Sequence, residues 1–199
     1  MMQGNEKSRG KIFFFSGPSG VGKGTLIQML QDAHPEWKFP PSCTTRDPRP
    51  GEVDGETYYF ISKDEFLEKI EQDEFLEWAE VHHENWYGTL KRPLLEPIDR
   101  GEIVIREFDV QGFAAAKEKL NPSDFVSIFL VPAGGVGELV HRIRDRAPIS
   151  DTDLALRMES MKSEFAQAKL YDHEILVENG NFEKMQKDAE KIIFSELKK

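Results

Sequence analysis

Gly17-Pro18-Ser19-Gly20-Val21-Gly22-Lys23 sets three glycines around a short turn and ends on a lysine, the spacing of a loop that wraps phosphate. Glycines let the backbone curl until successive N–H groups point inward at anionic oxygens. Lys23 would reach the outer phosphates, where the charge of a transferred group sits. The residue after the lysine is usually Ser or Thr. Here it is Gly24 followed by Thr25, so the hydroxyl that would contact Mg²⁺ is absent or displaced by one position. A bare glycine turn that caps a helix is the bland alternative, and the length and context of the pattern weigh against it. The motif predicts a nucleoside triphosphate site without naming an acceptor.

Such a loop works only between a strand and a helix, and the flanking sequence supplies both. Lys11 to Ser16 is a short apolar run, as expected of a strand covered on both faces in a parallel sheet. Thr25 to Ala33 carries Leu26, Ile27, Met29 and Leu30 at helical spacing. Further buried-strand candidates are Ile103 to Ile105, Phe125 to Val131 and Ile175 to Val177. Helical stretches at 113–120, 138–146, 152–168 and 182–197 separate or follow them, the alternation of a parallel sheet with helical crossovers. The predicted class is therefore α/β, a parallel-sheet core with helices on both faces.

Between Phe39 and Gly88 the character changes to a proline-rich stretch and short aromatic strand candidates such as Thr57 to Ile61, which reads as an inserted subdomain. Around Asp145 to Asp153 the chain is charged and carries Pro148, consistent with a solvated flap. The expected division is one domain, with 1–9 a frayed terminus, 10–38, 91–134 and 170–199 the core, 39–90 the inserted subdomain, and 135–169 a lid with its following helix.

The 36 acidic against 26 basic residues give a net charge of -10, which argues against nucleic-acid or anionic-membrane partners. Any anionic ligand must be met by a local cluster of cations. The single cysteine, Cys43, excludes an internal disulfide framework, and no apolar run reads as a leader or membrane span. A cytoplasmic setting is expected. Cys43 carries no mark of reactivity, Trp78 and Trp86 are expected to pack the subdomain, and His82-His83 reads as an exposed hairpin rather than a metal site.

Through Gly17 to Thr25, Thr44-Thr45-Arg46-Asp47-Pro48-Arg49-Pro50-Gly51-Glu52, Gly55 to Phe60, Phe75 to Ala79, Tyr87-Gly88-Thr89 and Asp109-Val110-Gln111-Gly112, the chain resembles the guanylate kinase family from about Lys11 onward. The family has its own Gly-Lys-Gly-Thr form of the loop. The resemblance implies phosphoryl transfer from Mg-ATP to GMP, and to dGMP, with Gly17, Pro18, Ser19, Gly20, Val21, Gly22, Lys23, Gly24 and Thr25 on ATP. It puts the acceptor phosphate on Arg46, Arg49, Tyr58 and Tyr87. Two arginines three apart suit one phosphate dianion through charge-assisted hydrogen bonds.

By the same resemblance Glu77 reads the base, with Ser42, Thr89 and Asp109 completing the set. A carboxylate accepts together from the ring N–H and exocyclic amine of guanine, which adenine cannot offer. A buried site built this way rejects an analogue lacking those groups by ~10⁴ or more. Arg142, Arg146 and Arg157 fall at the family's mobile lid, so Lys23, Arg46, Arg142, Arg146 and Arg157 are expected to stabilise charge on the moving group. Glu107 stands where the family usually has Asp and is a candidate, through water, for Mg²⁺, beside Thr25. Competing readings are a non-catalytic binding module of guanylate-kinase-like type and a kinase of a sugar phosphate.

Overall fold

The computed structural model describes residues 9–81, 85–135, 137–140 and 150–199. Along the chain its elements run β1 (Lys11–Ser16), α1 (Lys23–Ala33), β2 (Ser42–Thr44), β3 (Tyr58–Phe60), α2 (Lys63–Glu71), β4 (Phe75–Val81), β5 (Asn85–Leu90), α3 (Arg92–Asp99), β6 (Ile103–Glu107), α4 (Val110–Lys119), β7 (Phe125–Pro132), α5 (Asp151–Ala166), a 3-10 turn (Ala168–Leu170), β8 (His173–Val177) and α6 (Phe182–Glu196). The four strands expected from their apolar runs form one sheet in the order β6-β1-β7-β8, every neighbouring pair parallel.

The phenylalanine run explains why β1 is central. Phe13, Phe14 and Phe15 are all fully buried, so both faces of the strand are covered. Phe13 and Phe15 join Leu26 and Leu30 of α1 and Met185 and Ile193 of α6 in one core. Ile12 and Phe14 point the other way, against Leu94 and Ile98 of α3 and Phe113 of α4. Each buried phenylalanine contributes about 1.5–3 kcal/mol relative to an exposed one.

The inserted stretch folds as a second four-stranded sheet, β3-β2-β5-β4, parallel between β2 and β3 and antiparallel elsewhere. β2 and β3 have three residues each and β4 and β5 seven and six; the sequence reading anticipated β3 and a hairpin at His82-His83, between β4 and β5 in the chain. Helix α2 opens on an N-cap: the Ser62 hydroxyl accepts from the Glu65 N–H at 3.1 Å, with Asp64 and Glu65 in the first turn. Phe66 of α2 then stacks on Phe75 at 4.4 Å and packs with Cys43, Tyr59 and Trp86 under one face of the sheet.

Two expectations need correction. Arg9, counted with the frayed terminus, is pinned to Asp99 at 2.8 Å and to Asp124 at 2.7 Å. Trp86 packs the subdomain as expected, whereas Trp78 is 43% exposed and lies against the Trp86 ring at 5.3 Å. His82-His83 lies outside the described residues.

Candidate active site

The glycine loop leaves the C-terminal end of β1 and delivers the chain into α1, as its mechanism requires. Gly17 is needed for space and conformation: its φ is +149°, and a Cβ there would meet the Leu130 carbonyl oxygen at 2.8 Å. Gly22 caps α1 in the left-handed region at φ 114°, so the open N–H groups of the first turn face the loop. Lys23 folds over that loop, its Nζ donating to the carbonyls of Gly17 at 2.6 Å and Pro18 at 3.3 Å. A lysine held there bears its charge where phosphate oxygens would enter. Ser19, Gly24 and Thr25 are exposed, while Pro18 and Val21 are buried beneath the loop.

The residues expected to meet the acceptor are sorted by the two-residue period of the second sheet. Cys43 pairs with Tyr59 and with Gly88, and this parity faces α2. The opposite parity holds Ser42 beside Tyr58, Thr44 beside Tyr87, and Glu77 beside Thr89. All five predicted side chains on these strands therefore share one face. Glu77 reaches it through a register shift: Phe75 pairs with Leu90 while Glu77 pairs with Thr89, so one extra residue of β4 is spent between them. Phe75 stays in the apolar cluster and Glu77 emerges on the polar side.

Arg46 follows β2 into the proline-rich loop, and a residue missed in the sequence reading holds it. Glu52 accepts from Nη1 and Nη2 of Arg46 at 2.6 Å each, and the same carboxylate takes the Arg49 backbone N–H at 2.8 Å. The Arg46 guanidinium lies 5.1 Å from the Tyr58 ring centre and 5.7 Å from that of Phe60, and Tyr87 adds a hydrogen bond. Hydrogen bonding to Arg46, reinforced by the Arg49 N–H, pulls the Glu52 carboxyl down to about 2. Arg49 is exposed. Arg46, Tyr58 and Tyr87 thus form one cluster, with the Tyr58 and Tyr87 rings 6.0 Å apart.

Glu77 sits at the other end of the same face. Burial pushes its carboxyl above the ordinary range, opposed by hydrogen bonds from Thr89 and by the charge of Arg106, with Asp109 adding to the rise. Arg106 was not singled out in the sequence. It leaves β6 in the core sheet and donates to the Pro40 carbonyl at 2.9 Å, to the Thr89 hydroxyl at 3.1 Å and to the Ser42 hydroxyl. Asp109 caps α4, accepting from the Gly112 N–H at 2.7 Å. Glu107 is exposed at the end of β6, opposite Phe15 of β1.

Arg157 is exposed on α5, whereas Arg142 and Arg146 lie outside the described residues. No cluster of three His, Cys, Asp or Glu among the described residues forms a dedicated metal cage. A cleft of 450 Å³ beside α3, with Lys38, Tyr59, Arg92 and Arg100 in its walls, contains none of the predicted site residues. Cys43 is buried, and burial raises its thiol to about 12, in keeping with an unreactive side chain.

Similarity to known proteins extends over most of the chain. A guanylate kinase of Synechococcus sp. is 44% identical over 165 residues, 83% of this chain and 88% of its own length. One from Nostoc sp. is 42% identical over 174 residues, covering 87% and 84%. The crystal structure of guanylate kinase from Anaplasma phagocytophilum superposes with a TM-score of 0.71 at 28% identity, covering 97% of this chain and 89% of its own. The family model for guanylate kinase matches residues 9–196, so that both sheets and the loop fall within one match, and the chain belongs to the guanylate kinase family.

Proposed function

We infer that the protein is a guanylate kinase, transferring the terminal phosphoryl group of ATP to GMP to give ADP and GDP. The observation that carries this reading is the gathering of Ser42, Tyr58, Glu77, Tyr87 and Thr89 on one face of the second sheet, beside Arg46, in a chain whose phosphate loop keeps Lys23. A non-catalytic binding module would not need that lysine. A sugar-phosphate kinase would not need Glu77 with its hydroxyl partners.

In this reading residues 17–25 hold the ATP phosphates through loop N–H groups and Lys23. Arg46, Arg49, Tyr58 and Tyr87 hold the GMP phosphate, while Glu77, Ser42, Thr89 and Asp109 read guanine. Residues 39–90 act as the acceptor subdomain and 135–169 as the lid that brings Arg142, Arg146 and Arg157 over the phosphates. Closure aligns donor with acceptor, neutralises charge on the moving group and expels water that would hydrolyse ATP. These groups position and stabilise charge; none acts as a general acid or base. The 2′-hydroxyl enters no contact of this scheme, so dGMP is an expected substrate.

Mg²⁺ fits the exposed donors at this end of the sheet, because that ion keeps much of its water shell and takes few protein ligands beside phosphates. Thr25 and, through water, Glu107 are the residues that would hold it. When bound, the ion neutralises charge on the phosphates. None of the helices among the described residues is long and apolar enough to cross a membrane, and a cytoplasmic setting is the reading that the nucleotide substrates and single free thiol support.

The test is a coupled assay of ADP release from Mg-ATP with GMP, AMP, CMP, UMP or no acceptor in parallel. Turnover dependent on GMP supports both sites together. Silence with every nucleotide would overturn the reading.

A further inference from the structure

Arg106 is anomalous on physical grounds. It springs from a parallel strand whose preceding residues, Val104 and Ile105, are buried, and its own side chain is half-buried, with Nε withdrawn from water. Burial depresses its pKa, opposed by the charge of Glu77 and then of Glu107, with Tyr58 and Cys43 also facing it. A buried ion pair is seldom worth more to a fold than apolar side chains of the same volume, and a leucine or methionine at this position would avoid the desolvation. Its Nε–H is also buried without an acceptor, a further cost that packing alone does not explain.

Its contacts supply the explanation. One fork reaches out of the core sheet to three points of the acceptor subdomain or its entry: the Pro40 carbonyl, the Ser42 hydroxyl on β2 and the Thr89 hydroxyl on β5. Thr89 in turn hydrogen-bonds Glu77, its cross-strand partner. A guanidinium donates only. Each hydroxyl it engages therefore has one lone pair committed to Arg106, which leaves its single O–H to donate: that of Thr89 to Glu77, that of Ser42 outward. Its fixed charge also favours the ionised form of Glu77, the form that accepts two N–H groups at once.

We propose that Arg106 is a positioning and specificity-determining residue for guanine, orienting the Ser42 and Thr89 hydroxyls and holding Glu77 as a paired acceptor from a rigid strand of the core. The proposal rests on the reading of Glu77 as the guanine acceptor. It assigns the fidelity of the base site to a residue that lies outside the acceptor subdomain.

The test compares Arg106→Met, Arg106→Lys and Glu77→Gln with the parent chain, using GMP and IMP, which lacks the exocyclic amine, at saturating ATP. The expected result for Arg106→Met is a KM for GMP raised about tenfold with kcat within about threefold, and a preference for GMP over IMP reduced about tenfold. Arg106→Lys keeps the charge without the fork and should fall between the two. An unchanged GMP preference in Arg106→Met, or in Arg106→Lys alone should the methionine variant not fold, overturns the proposal and leaves Arg106 as a strap between sheets. An unchanged preference in Glu77→Gln places the failure in the guanine reading itself.

Discussion

Arg46 turns both outer nitrogens of its guanidinium onto one carboxylate, that of Glu52, at 2.6 Å each. The pair is more than a local ion pair, because Glu52 simultaneously holds the Arg49 N–H and so fixes the turn between two cations assigned to the GMP phosphate. A bidentate carboxylate sets the plane of the arginine as well as its place.

Glu52→Gln should therefore raise the KM for GMP by roughly tenfold and change kcat less, since it loosens a positioned cation without removing it. Steady-state kinetics at saturating ATP checks this. The Glu52 carboxyl is depressed to about 2, so its pairing is complete above the ordinary value of 4.5 and is lost only as pH falls through about 2. No acid limb in the activity between pH 4 and 7 should disappear in this variant.

Glu77 is expected to behave in the opposite sense. Its folded carboxyl is raised by burial, so its contribution to stability is present in acid and lost as pH rises through the raised value. The ionised form that accepts from guanine is then lost at a pH above 4.5 on acidification. The KM for GMP should climb there, and a pH series with Glu77→Gln, which lacks the group, should show a flat acid limb.

Lys23→Ala removes the cation that the loop carbonyls of Gly17 and Pro18 hold in place. Turnover should fall by ~10³ or more, with GMP affinity changed by less than about twofold. Single-turnover kinetics and GMP calorimetry separate these effects, and undiminished turnover would sink the assigned role.

Phe66→Ala empties the centre of the apolar face under the second sheet, where the ring is fully buried against Phe75. The expected loss is about 3–5 kcal/mol in denaturant unfolding. Because this cluster is separate from those around β1, ATP affinity should survive under native conditions while GMP affinity falls. Equal losses for both nucleotides would contradict the separation.

The core was legible because its signals are dense. A phenylalanine run, a glycine loop and four apolar strands separated by helical stretches leave few arrangements open. The second sheet was harder. β2 has three residues, too few for a periodic pattern to register, and β3, equally short, showed only through its aromatic residues, although Ser62-Lys63-Asp64-Glu65 did carry a readable start for α2. Helix α3 was masked by Pro93 and Pro97, residues that argue against helix until Pro93 is seen in the first turn.

At the site, the resemblance named side chains that the fold gathers on one sheet face, and it missed two that hold them. Glu52 lies six residues beyond Arg46 in a loop, where no periodicity links the pair. Arg106 was passed over because the apolar run seemed to end at Ile105. The strand in fact continues to Glu107, and an arginine there must find partners.

The extra residue between Phe75 and Glu77 ties substrate identity to counting. Were the register of Phe75 and Leu90 continued unbroken, Glu77 would stand opposite Gly88, on the side of α2, and the carboxylate assigned to guanine would point into the apolar cluster. The fully buried Leu76 absorbs the offset, so one residue with no ladder partner keeps Glu77 and every later side chain of β4 on its face.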